Sequence, residues 1–174
     1  MRSSFYCILF LVSLDTVHAQ HADTLTQGPS AVMITGLVDS AFSISNANLG
    51  SFTVQEGKDF NITGSKGEVK RTIKSFKGIL LTNILTKAKI SLANEKDRGK
   101  YIIVVTAADG YTAVFTYNEL IFSTAGKNTY LLFEEEGKPI DKGGPFVVAC
   151  TSDVVTGPRH VKWVKEIAVK KIQD

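Results

Sequence analysis

Near the C-terminal end of the sequence, Arg159, His160 and Lys162 stand together just after Gly157-Pro158. Two permanent cations and an imidazole beside a glycine-containing turn can hold an anionic group through charge-assisted hydrogen bonds. Arg71 and Lys66 bring further positive charge from earlier in the chain. The competing reading is a solvated basic edge, whose charges keep a terminal strand from pairing with a neighbour. Cys150 is the other residue with reactive potential. A thiolate can ligate a metal or carry redox chemistry, but this cysteine ends the apolar run 146–150, where a small buried hydrophobe is the plainer role. Pairing between molecules is its third option. The acidic run Glu134-Glu135-Glu136 precedes a turn and reads as a solvated hairpin tip, because a cation site needs converging oxygens. Asp109 belongs to an Asp-Gly turn rather than to a base. The serines lack a histidine-plus-acid set in any known motif, and no P-loop, dinucleotide fingerprint or HExxH is present. Asn61-Ile62-Thr63 is a glycosylation sequon, meaningful only in a eukaryotic host.

The composition bounds what these residues can serve. The 174 residues carry 20 basic against 17 acidic side chains, a net +3 that is too mild to argue for nucleic acid. Hydrophobic residues at 44% and charged ones at 21% predict a single domain with its own core. Two cysteines exclude a disulfide-dense scaffold and a cysteine-based zinc finger, and three histidines leave little for a His-rich metal site.

The N-terminus predicts a secretory signal peptide over 1–19. Met1-Arg2 supplies a positive start, 5–14 is apolar but for one serine, and Val17-His18-Ala19 fits a cleavage site. The run is too short for a stable membrane span. Cleavage after Ala19 leaves about 155 residues with Cys150 as the lone cysteine, so core packing rather than a disulfide must hold an exported protein, periplasmic or secreted.

The elements that position the candidate residues follow. A polar leader covers 20–30, and one domain covers 31–174. Strands are predicted at 31–38, at 51–54 and 59–63 around a turn at Gly57, and at 68–76, where Gly78 turns the chain tightly into an apolar-faced helix over 79–88. After a charged loop at 94–100, strands 101–106 and 112–116 flank Asp109-Gly110. Short helical turns are expected at 45–49 and 117–121. Strands at 130–135, 146–150 and 164–172 complete the chain, with turns at Gly137-Lys138-Pro139 and at 142–145 and with Trp163 as a core anchor. The sum is an α+β domain, β-rich, with mixed sheets and short helices.

The order of these pieces resembles the molybdopterin-binding domain of the sulfite oxidase family of oxidoreductases. The matching segments are Ile34-Thr35-Gly36-Leu37-Val38, Phe76-Lys77-Gly78-Ile79-Leu80-Leu81, Asp109-Gly110-Tyr111, Asn118-Glu119-Leu120, Gly137-Lys138-Pro139-Ile140 with Gly144-Pro145, and Arg159 through Ile167 with its Lys162-Trp163 pair. They span nearly all of 31–172. The resemblance implies a molybdopterin cofactor whose phosphate and ring are held by basic side chains, here Arg159, His160, Lys162 and Arg71. It also implies a molybdenum-ligating cysteine between the early strands and the aromatic-x-Gly step. That stretch, 61–76, contains neither Cys nor His, which puts molybdenum in doubt.

Three functions follow as expectations. The first is an exported binding module for a small anionic ligand or pterin. The second is a small molybdopterin-dependent oxidoreductase. The third is an envelope interaction protein with a protein partner.

Overall fold

The computed structural model describes residues 29–173. The expected signal peptide, and the leader except for Pro29 and Ser30, lie outside the described residues. The elements run β1 (Ala31–Gly36), β2 (Phe42–Ser45), β3 (Val54–Thr63), β4 (Val69–Leu80), α1 (Leu81–Ala88), β5 (Tyr101–Ala107), β6 (Thr112–Thr116), α2 (Tyr117–Phe122), β7 (Thr129–Glu135), β8 (Lys138–Pro139), β9 (Val147–Cys150) and β10 (Val164–Lys171). One sheet has the order β2-β1-β10-β5-β6, and in it β1 and β10 run parallel while the other pairs are antiparallel. The second is antiparallel, β3-β4-β7, with β8 and β9 sharing the far edge of β7. The fold class is the expected β-rich α+β.

Hydrophobic periodicity accounts for the core. Val32 and Ile34 of β1, Ile103 and Val105 of β5 and Ile167 of β10 meet Ile79, Leu131 and Val148 from the second sheet. Each of these side chains contributes roughly 1.5–3 kcal/mol by leaving water. α1 adds Leu81, Ile84, Leu85 and Ala88, which are spaced to share one face. It starts two residues later than the sequence suggests, because Ile79 and Leu80 still pair with β7. α2 opens with a reciprocal cap: Glu119 N–H donates to Thr116 Oγ1 at 3.1 Å, and Thr116 N–H donates to Glu119 Oε2 at 3.2 Å.

Three expectations are corrected. Gly57 is not a turn. It lies inside the continuous strand β3, opposite Phe76, and a Cβ there would come within 2.1 Å of the Phe76 ring. The glycine makes room for that ring. Gly78 likewise continues β4 instead of ending it, and its missing side chain lets the Leu131 carbonyl approach. Trp163 is half-buried rather than a core anchor, and its backbone is left-handed, with φ +48.

The β3–β4 hairpin carries apolar side chains on the outer face of its sheet. Phe60, Ile62, Ile73 and Phe76 pack there with Leu132, Val147 and Ala149 in a second, smaller apolar cluster. Phe60 and Phe76 meet edge to face, with ring centroids 5.3 Å apart. The far end of the hairpin is fastened by two buried threonines: Thr63 N–H donates to Thr156 Oγ1, and Thr156 N–H to Thr63 Oγ1, each at 2.9 Å. This fastening sets the hairpin beside the segment that carries Arg159, His160 and Lys162.

Candidate functional site

Between the β3–β4 hairpin and the loop that follows β8 lies a cleft of about 520 Å³. Val147 of the outer cluster lies within it. Arg71 enters from β4, His160 and Lys162 from the segment before β10, and Lys138 and Lys142 from β8 and the loop after it. Among the sequence-selected residues, Arg71, His160 and Lys162 are therefore brought together. Lys138 and Lys142 were singled out only as turn residues, and nothing in their local sequence marks them as facing the other cations.

Arg159 is not among the residues lining this cleft. Its guanidinium lies over the Phe115 ring, 4.6 Å from the centroid, and pairs with Asp153 and Glu119. Its hydrogen bonds to Asp153, followed by those to Glu119, raise its pKa further and outweigh the desolvation that opposes them. The group ties α2 to the 153–159 segment. Arg159 ends a short 3-10 turn over Gly157–Arg159, and His160 follows it with its N–H donating to the Gly157 carbonyl at 3.2 Å, so the two side chains leave the chain on either side of a change in backbone conformation.

The cations in the cleft differ in availability. Arg71 donates to Glu135 at 2.7 Å. Lys138, Lys142 and Lys162 have no ion pair among the described residues. Glu136 and Asp141 supply negative charge at the same cleft, so the site is mixed rather than uniformly basic. The Asp141 carboxylate accepts from the backbone N–H of Lys142 at 2.5 Å. His160 is held neutral at physiological pH: burial first, then the charges of Lys162 and Arg71, push it down to about 4. Its Nε2 is sealed from solvent and has no hydrogen-bond partner among the described residues.

This donor set fits an anion. Three ammonium groups without ion pairs among the described residues can approach a phosphate or carboxylate, against the opposing charge of Glu136 and Asp141. It does not fit molybdenum held by a protein thiolate. Cys150 lies fully buried in β9, within the core shared by the two sheets, with Sγ 3.3 Å from Ser152 Oγ and away from the cleft. Among the described residues, no group of three or more His, Cys, Asp or Glu side chains could hold a metal ion. Also among them, no helix is long and apolar enough to cross a membrane.

No family model matches the chain, and no curated protein matches it. Among solved structures, the sulfane dehydrogenase SoxCD from Paracoccus pantotrophus is similar, with a TM-score of 0.63 at 18% identity. The likeness covers 83% of this chain and 39% of that one, so this chain spans less than half of that protein's length. At this identity the similarity shows the fold alone, and the chain shares the β-rich architecture of the matched part of that protein.

Proposed function

We propose that this chain is a binding module that takes a small anionic ligand of the pterin-phosphate type in the cleft between the β3–β4 hairpin and the loop after β8. One observation carries the reading: Lys138, Lys142 and Lys162, all without ion pairs among the described residues, converge with a neutral His160 on one concave site. These three ammonium groups outnumber Glu136 and Asp141, the cleft carboxylates without an ion pair among the described residues, so a bound anion adds favourable charge pairing. The N-terminal sequence supports export, to a periplasm or outside the cell, as part of the same proposal.

A second reading, a small molybdopterin-dependent oxidoreductase, draws support from the fold shared with a sulfane dehydrogenase. Among the described residues no cysteine lines the cleft, which weighs against it. Purification from a host that makes molybdopterin tests both. On one sample, released pterin is measured by fluorescence and molybdenum by elemental mass spectrometry. Pterin near one per chain without metal is the expected result, and the K138M/K142M/K162M variant should lose it. Metal together with pterin near one per chain would replace the binding-module reading with the enzyme. Neither one bound would overturn pterin binding and turn the search to protein partners.

A further inference from the structure

Lys162 owes its place to a backbone conformation one residue further on. Trp163 has φ +48, a left-handed conformation that costs a non-glycine residue roughly 1–2 kcal/mol and is rare for a bulky one. Several contacts hold it there. The Trp163 N–H donates to the Gly143 carbonyl at 2.5 Å, and its own carbonyl accepts from the Ala108 N–H at 2.9 Å. Gly144, at φ +73, lies flush against it: a Cβ on Gly144 would stand 2.5 Å from the indole Cδ1 and 3.0 Å from the Trp163 Cα. A Cβ on Gly143 would stand 3.5 Å from Lys162 Cγ. On the far side, Val164 is fully buried in the shared core, and its N–H donates to the Phe146 carbonyl at 3.2 Å. On the near side, Val161 exchanges two backbone hydrogen bonds with Val148, at 2.8 and 2.9 Å.

The chain is thus pinned on both sides of Lys162, and within three residues it passes from the cleft to the core. An extended residue at 163 would put 162 and 164 on the same face. The left-handed turn lets Lys162 line the cleft while Val164 enters the core. We propose that Trp163 is a positioning residue, whose left-handed backbone, seated on the Gly143–Gly144 turn, fixes Lys162 in the anion cleft. This inference rests on the binding reading above for its functional consequence, while the geometry it invokes exists without ligand.

Two substitutions separate backbone from side chain. W163G and W163V both remove the indole, but glycine keeps a left-handed backbone at no cost and the β-branched valine cannot. Inorganic pyrophosphate is the probe, titrated by calorimetry against the full-length protein and its variants. W163G should bind within about twofold of wild type. W163V should bind about tenfold more weakly, like K162M, and the W163V/K162M double variant should be no weaker than K162M alone. Equal losses in W163G and W163V would assign the effect to indole packing and overturn the proposal. So would additive losses in the double variant.

A second readout needs no ligand. The rate of amine labelling at Lys162, followed by peptide mass spectrometry and referred to Lys165, should change several-fold in W163V and stay unchanged in W163G. Equal rates in wild type and both variants would overturn the positioning role, even where pyrophosphate binds no variant. Failure of wild type to bind pyrophosphate counts against the anion reading alone. Should W163V fail to fold, G144A displaces the Trp163 Cα from the other side and carries the same two expectations.

Discussion

The two faces of the antiparallel sheet are built to different ends. Its inner face sends Ile79, Leu131 and Val148 into a core shared with the other sheet and with α1, and all three are fully buried. Its outer face carries a smaller cluster shared by the hairpin with β7 and β9, with Phe60 and Ile62 at 5% and 8% exposure. Beyond that cluster lie the cations and carboxylates of the cleft. The inner face spends its side chains on stability. The outer face holds a strand pair in place over charged groups that have few partners. A small apolar layer can position a polar site, but it buries too little to let the site deform without consequence.

The largest test of that contrast compares truncations on the two faces. I79A should lower unfolding free energy by about 3–4 kcal/mol, with cooperative loss of both sheets, since it opens a cavity in the shared core. I73A, whose side chain is also fully buried but in the outer cluster, should cost about 2–3 kcal/mol. Hydrogen exchange should show its effect concentrated in β3 and β4. Equal protection losses across the molecule in both variants would erase the distinction between the faces.

Acid should act next, through the outer face. The folded-state pKa of His160, about 4, lies below its ordinary 6.5, so the unfolded chain takes up the proton first. Stability is therefore fully present above pH 6.5 and is lost as pH falls toward 4. For a half-buried group the loss is about 2 kcal/mol. Denaturant titrations of wild type and H160Q across that range should show a shallower slope in the variant. Parallel slopes would mean that His160 is as easily protonated in the fold as out of it.

The smallest effect should come from Arg159. R159M leaves Asp153 and Glu119 close together without their cation, at a cost of about 1–2 kcal/mol at neutral pH. That deficit should shrink as pH falls through the carboxylate range, opposite in sign to the His160 effect. Pyrophosphate affinity should stay within about twofold, in contrast to the tenfold loss in K162M. A tenfold loss in R159M would place Arg159 functionally in the cleft after all.

Much of the architecture was legible because period and turn chemistry act locally. The apolar run 101–106 forms β5, an interior strand between β10 and β6, with Tyr101, Ile103 and Val105 in the core and Ile102 and Thr106 half-buried on the other face. Asp109-Gly110 closes the expected hairpin, with Gly110 at φ +90. The two glycines that misled did so for one reason. Gly57 and Gly78 mark close approach by Phe76 and by the Leu131 carbonyl, and a sequence shows the missing side chain without showing what fills its place. The same holds for charge. Arg159 and Lys162 look alike as members of one basic cluster, yet one is neutralised by residues 6 and 40 positions away and the other is not.

By itself, then, the sequence determined the β-rich class, most of the strands, the helix at α1 and the closeness of His160 and Lys162, because these follow from neighbours within a few residues; β2 and the continuity of β3 across Gly57 it did not. Only the tertiary structure decided that Arg71, Lys138 and Lys142 join them while Arg159 does not. That outcome depends on where the outer cluster and the Thr63–Thr156 hydrogen bonds hold the hairpin, and on the pairing of Arg159 with Glu119. Both are fixed by packing between segments far apart in the chain, where local pattern carries no information.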